Sequence, residues 1–141
     1  MDMLDVVAWG VLVALVATAV LGVTSLVLWR RHGAAGFPTA KVAAHVTLQV
    51  VSIALWVVFL LTTSPWLAWL TFGVITAGQV VGDLLMFASY RARRRVDRVG
   101  SYLAAAGELL RFSRPIPALH ALIGAVGWFG MLLACLLATL A

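Results

Sequence analysis

The stretch VVAWGVLVALVATAVLGVTSLVL, residues 6–28, runs for 23 residues without a charge. At 1.5 Å per residue a helix of that length reaches about 34 Å, enough to cross a hydrocarbon core of about 30 Å. Three further apolar runs of at least 20 residues follow at Val42–Leu61, Leu67–Phe87 and Ala118–Leu140. Hydrophobic residues make up 64% of the 141-residue chain and charged residues 11%. A soluble domain of this size has too much surface to hide that composition. Lipid is therefore the expected solvent. Backbone polar groups in lipid must be satisfied within the segment, so the runs are expected to be helices. The expected fold is all-α: one polytopic domain over 1–141, an up-and-down bundle of four transmembrane helices spanning about 6–28, 42–61, 67–87 and 118–140.

The first run is not read as a signal peptide, although Ala17-Thr18-Ala19 has the look of a cleavage site. Its leading residues, Met1-Asp2-Met3-Leu4-Asp5, are acidic, and the apolar run continues past the site to Trp29. The ten lysines and arginines are Arg30, Arg31, Lys41, Arg91, Arg93, Arg94, Arg95, Arg98, Arg111 and Arg114. With four alternating spans all ten fall on one side. The positive-inside rule then makes both basic loops cytoplasmic and both termini external, in a multi-pass protein of the cell membrane. The same charges predict attraction to anionic lipid through the arginine-rich loop, and they are not interleaved with the aromatics that nucleic-acid binding wants.

The loop 91–116 is too long for a turn. Val96, Val99, Leu103, Ala106 and Leu110 recur at helical spacing against Arg98, Ser101, Glu108 and Arg111, which predicts an amphipathic helix in the interface between the third and fourth spans. Pro65 is placed to open the third span, and Pro115 and Pro117 the last. The lone Cys135 has no partner for a disulfide and receives no role.

Asp83 stands in the apolar run GQVVGDLLMF, with no charged residue within seven positions on either side. Helical rows place Gln79, Asp83, Met86 and Tyr90 together, His45 with Gln49, Ser52 and Trp56, and His120 with Gly124 and Gly127. All lie in the same leaflet by depth, so Asp83, His45, His120, Gln49 and Gln79 are expected to meet inside the bundle, since a lipid-facing aspartate at the centre costs about 2.5–3.5 kcal/mol. Two imidazoles on diagonally opposed helices are the minimum for bis-histidine ligation of a b-type haem, with His45 and His120 as metal ligands. Gly124 and Gly127 would leave room for the macrocycle, and Arg91, Arg111 or Arg114 would meet its propionates. In this arrangement the chain resembles small membrane cytochrome b subunits, on the two histidines alone. Two other classes fit the same residues: a proton or metal-ion transport component using His45, His120 and Asp83, and an accessory or assembly subunit without chemistry of its own. The second would pack against other membrane subunits or self-associate through small-residue ridges. No nucleophile motif or paired-carboxylate signature marks an enzyme.

Overall fold

The computed structural model describes residues 2–31, 38–94 and 102–140. These residues form five helices and no strand: α1 Met3–Arg31, α2 Thr39–Thr62, α3 Pro65–Arg94, α4 Tyr102–Leu110 and α5 Pro115–Leu140. Of these, α1, α2, α3 and α5 are long and apolar enough to cross a membrane.

Each long helix overruns the apolar run that encodes it. At the start of α1 the Asp2 carboxylate accepts the Asp5 N–H at 2.8 Å, satisfying a donor that the first turn leaves free. Arg30 and Arg31 end α1, and Arg91, Arg93 and Arg94 end α3. Cations in a last turn complement the helix dipole, so helix continues into charged sequence there. Between α2 and α3 the chain reverses in two residues. Thr63 is left-handed at φ 52°, and its N–H caps α2 by donating to the Phe59 carbonyl at 2.7 Å. Pro65 then opens α3 as anticipated.

The long helices pack as two close pairs, α1 with α5 and α2 with α3. At the end holding Ala8, Ala68 and Ala138, the interior is a continuous apolar core built on Leu15, Trp56, Phe59, Ile75 and Met131. Cys135 is buried in it. The two polar residues in this region bond back to their own helices: Ser52 Oγ donates to the Leu48 carbonyl and Thr71 Oγ1 to the Leu67 carbonyl. The Trp56 indole, fully buried, donates to the Ala8 carbonyl at 3.0 Å and ties α2 to α1. At the other end, which carries the arginines, packing is loose. No residue of 19–31, 39–51 or 79–94 is buried. One half of the bundle is a closed core and the other an open cleft between the two helix pairs.

Helix α4 lies at the basic end. It meets the bundle through Ala105, which is buried, while Leu103 and Leu110 of the expected apolar row are exposed. That row faces away from the protein. Val96 and Val99 lie outside the described residues.

Candidate functional site

His45 on α2 and His120 on α5 face one another across the cleft. Their ring centroids are 6.2 Å apart and the ring planes are inclined by 75°. Each ring is held by its own helix pair. His45 Nδ1 lies 2.9 Å from the Gly78 carbonyl of α3, and His120 Nδ1 lies 2.8 Å from the Thr18 carbonyl of α1. A carbonyl oxygen only accepts, so Nδ1 carries the proton in both rings. In the neutral rings Nε2 keeps its lone pair. A backbone carbonyl on one ring nitrogen is the arrangement that orients histidines used as metal ligands through the other.

Glycine makes these bonds possible. In an α-helix the carbonyl of residue i points toward residue i+4, so a side chain reaching that oxygen from a neighbouring helix must lie over residue i+4. For Thr18 that residue is Gly22, and for Gly78 it is Gly82. A Cβ on Gly22 would stand 2.9 Å from His120 Cε1, and one on Gly82 would stand 3.0 Å from His45 Cε1. The first is closer than real methyl groups come, and the second is tighter than nearly all of their contacts, so either imidazole would have to give way.

The two half-sites repeat one another. Adding 60 to the buried row of α1 (Ala8, Val11, Leu15, Thr18) gives the buried row of α3 (Ala68, Thr71, Ile75, Gly78). Adding 75 to the buried row of α2 (Ser52, Trp56, Phe59) gives Gly127, Met131 and Ala134, all buried in α5. The same offsets carry Gly22 to Gly82 and His45 to His120. The packing of α2 on α3 thus recurs as the packing of α5 on α1, the pattern of a pseudo-two-fold bundle with the histidine pair between its halves. In sequence the histidine-bearing stretches AKVAAHVTLQ and IPALHALIGA show this repeat only faintly. A stronger signal lies in Ala8-Trp9 with Gly22 against Ala68-Trp69 with Gly82.

The other anticipated site residues are distributed differently. Gln79 Nε2 reaches the Gly124 carbonyl at 3.5 Å, and Gln49 Nε2 lies 2.8 Å from where a Cβ on Gly78 would be. Both glutamines are therefore at helix contacts beside the histidines. Gly124 and Gly127 are buried, with Thr18 and Gln79 near the first and Ala14 and Leu15 near the second, so both lie at close helix contacts of α5. The glycines beside the imidazoles are Gly22 and Gly82, which the sequence reading missed. Asp83 does not join the site. It is exposed, next to the exposed Leu84 and on the same face as Val80. The inward row of α3 runs through Ile75, Gly78 and Gly82, and one residue further along a helix turns the side chain by about 100°. The repeat agrees, for Asp83 corresponds to the exposed Val23.

Thr18 completes the site. Its carbonyl receives His120, and its Oγ1 is buried without a hydrogen-bond partner among the described residues. No group of three or more metal-ligating side chains occurs among the described residues. The donor set here is a pair. Family models, curated proteins and solved structures give no match to this chain, and its function is read from the site itself.

Proposed function

We propose that the chain is a multi-pass membrane protein that holds a b-type haem between His45 and His120 and acts in electron transfer. The observation that carries this reading is the histidine pair. With a metal–nitrogen bond of about 2.0 Å and a ring nitrogen about 1.1 Å from its ring centre, two imidazoles ligating one metal from opposite sides have centroids about 6.2 Å apart. The observed separation is 6.2 Å, with both Nδ1 atoms anchored and both Nε2 atoms left to ligate. The orphaned Thr18 hydroxyl and the loosely packed half of the bundle fit a group bound in the cleft. When bound, haem would supply one-electron chemistry. His45 and His120 would hold the group, and with both imidazoles engaged its chemistry would be electron transfer rather than binding of a substrate. The carbonyls of Gly78 and Thr18 fix the tautomer and rotation of the two rings. Arg91, in the last turn of α3, stands at the end where propionates would emerge.

This reading includes an up-and-down bundle with the basic loops cytoplasmic, both termini external and α4 at the interface. A proton or ion path fits less well, because the aromatic core around Trp56 and Phe59 offers no polar route onward. Asp83 supports an additional role as a subunit of a larger complex: its exposed carboxylate would face lipid unless a neighbouring helix paired it.

The test is an optical spectrum of detergent-purified protein, oxidised and then reduced, after expression with haem supplied. A Soret band and a sharpened α-band on reduction are expected, and His45→Ala or His120→Ala should each abolish the six-coordinate signature. Wild-type protein that stays colourless and takes up no added haemin refutes the reading.

A further inference from the structure

A second site lies at the basic end, apart from the histidines. Arg93 Nη2 donates to Glu108 Oε1 at 2.6 Å and Arg94 Nε donates to Glu108 Oε2 at 3.1 Å, so each carboxylate oxygen holds one guanidinium. The Glu108 side chain is only 14% exposed. Its burial pushes the pKa up, but the hydrogen bonds and charges of Arg93 and Arg94 outweigh that and hold it below the usual value. Glu108 is thus an ionised carboxylate already matched by two cations.

Two more cations stand close by. Arg111 lines the same cavity as Glu108 and makes no ion pair among the described residues. Arg114 is held below its ordinary pKa by partial burial and then by repulsion from Arg93, with Glu108 opposing. Two guanidiniums bind the Glu108 carboxylate, Arg111 lines the cavity with it and Arg114 is close enough to feel its charge, so among the described residues cations outnumber the carboxylate and favour an anion. The cavity has a volume of about 380 Å³, and its lining includes Tyr90, Arg94, Leu103, Arg111 and Ser113. That volume is several times what a bare phosphate would fill. Leu103, at its wall, and Leu110 and Phe112, outside the lining, expose apolar surface. A basic cavity beside exposed leucine and phenylalanine, at the ends of apolar spans, has the two halves of a phospholipid's chemistry next to each other.

We propose that this cavity binds the phosphate headgroup of an anionic phospholipid, with Arg111 in its wall and Arg114, next to the lining Ser113, adding charge from beside it, and the acyl chains along Leu103, Leu110 and Phe112. The glycerol portion accounts for the volume beyond the phosphate, and the apolar flank separates a lipid from a free anion.

Native mass spectrometry of the purified protein, equilibrated with mixed phosphatidylglycerol and phosphatidylcholine, tests this. One phosphatidylglycerol per chain should be retained in preference to phosphatidylcholine, and excess inorganic phosphate should not displace it. Arg111→Gln/Arg114→Gln should lower retention by about tenfold or more, as expected for loss of charge-assisted hydrogen bonds. Arg30→Gln/Arg31→Gln, which removes the same charge from the first basic loop, should leave retention unchanged. Equal losses in the two double variants, or no preference for phosphatidylglycerol in the wild type, would overturn the site. Displacement by free phosphate would overturn the lipid assignment. The wild-type preference needs no variant to fold, and none of these results depends on haem.

Discussion

Gly22→Ala should damage this protein although alanine is the better helix former. The added methyl would lie 2.9 Å from His120 Cε1 and 3.2 Å from Nδ1, against ordinary contacts of about 3.5–4.0 Å. Either the imidazole retreats by about 0.5–1 Å or α5 moves away from α1. A retreating ring stretches its 2.8 Å bond to the Thr18 carbonyl and leaves Nδ1–H without a partner in a half-buried place. A moving helix loosens the contacts at Gly127 and Gly130, where Ala14 and Val11 already sit at 3.5 and 3.0 Å from the Cβ positions. Leaving a buried donor unpaired costs about 1–3 kcal/mol. Alanine returns about 1 kcal/mol through helix propensity. The net expectation is a loss of up to about 2 kcal/mol.

Gly73→Ala is the internal control, since nothing lies within 4 Å of its Cβ position. It should be neutral or stabilising by up to about 1 kcal/mol. The propensity gain is common to both, so these chemically identical substitutions should differ by the cost of the unpaired donor, about 1–3 kcal/mol, in denaturant unfolding followed by circular dichroism in detergent. Gly82→Ala should behave like Gly22→Ala, because its methyl would meet His45 Cε1 at 3.0 Å. On the proposed haem reading, both variants should also release the group at lower denaturant than wild type. Equal stability shifts for Gly22→Ala and Gly73→Ala would refute the argument that these glycines exist to seat the imidazoles.

Three further outcomes are expected. Trp56→Phe removes the buried indole bond to the Ala8 carbonyl and shrinks a fully buried side chain, so it should cost about 2–4 kcal/mol in the same unfolding assay. Asp83→Leu should leave the isolated chain's stability and any haem spectrum unchanged, because the carboxylate makes no contact with the histidines; a lost spectrum would show that Asp83 reaches the site after all. Glu108 has a folded pKa below its ordinary 4.5, so its contribution is complete above that value and is lost as pH falls through the lower folded one. Hydrogen exchange should accordingly find α4 docked at pH 5 and released only at more acidic pH, and a release centred above 4.5 would contradict the ion-pair assignment.

The four long apolar helices were legible in the sequence because length and hydropathy alone mark a helix able to cross a membrane. Their inward faces were harder to read. In a soluble helix polarity marks the outside, and in a membrane helix an isolated polar residue is expected to mark the inside. Asp83 breaks the second rule as well. The inward row of α3 is marked instead by small residues, Ala68 and Gly78, because close helix packing in lipid depends on backbone approach. The expected row through Gln79 and Asp83 is one residue out of register. The inward side of the histidines was legible because both stand on rows that contain buried residues, Ser52 and Trp56 for His45 and Gly124 and Gly127 for His120. Gly22 and Gly82 were invisible as site residues, since their role depends on which helix lies opposite.

The internal repeat allows one half of the chain to be judged against the other. Positions that differ between the halves are those where the contact tolerates exchange. Gln49 packs over Gly78 in one half, whereas Gly124 faces Thr18 in the other, so the large and small partners have changed sides. Trp56 corresponds to Met131 and Phe59 to Ala134, a redistribution of core volume of the kind packed interiors accept. Three elements are the same in both halves: an imidazole, a backbone carbonyl that receives its Nδ1, and a glycine one turn beyond that carbonyl. A histidine serving only to staple helices would need to be kept once, and the bond could be replaced in the other half by any of the apolar contacts found elsewhere. Keeping the whole device twice, with the rings facing across the cleft, is what a ligand approached from two opposite sides requires.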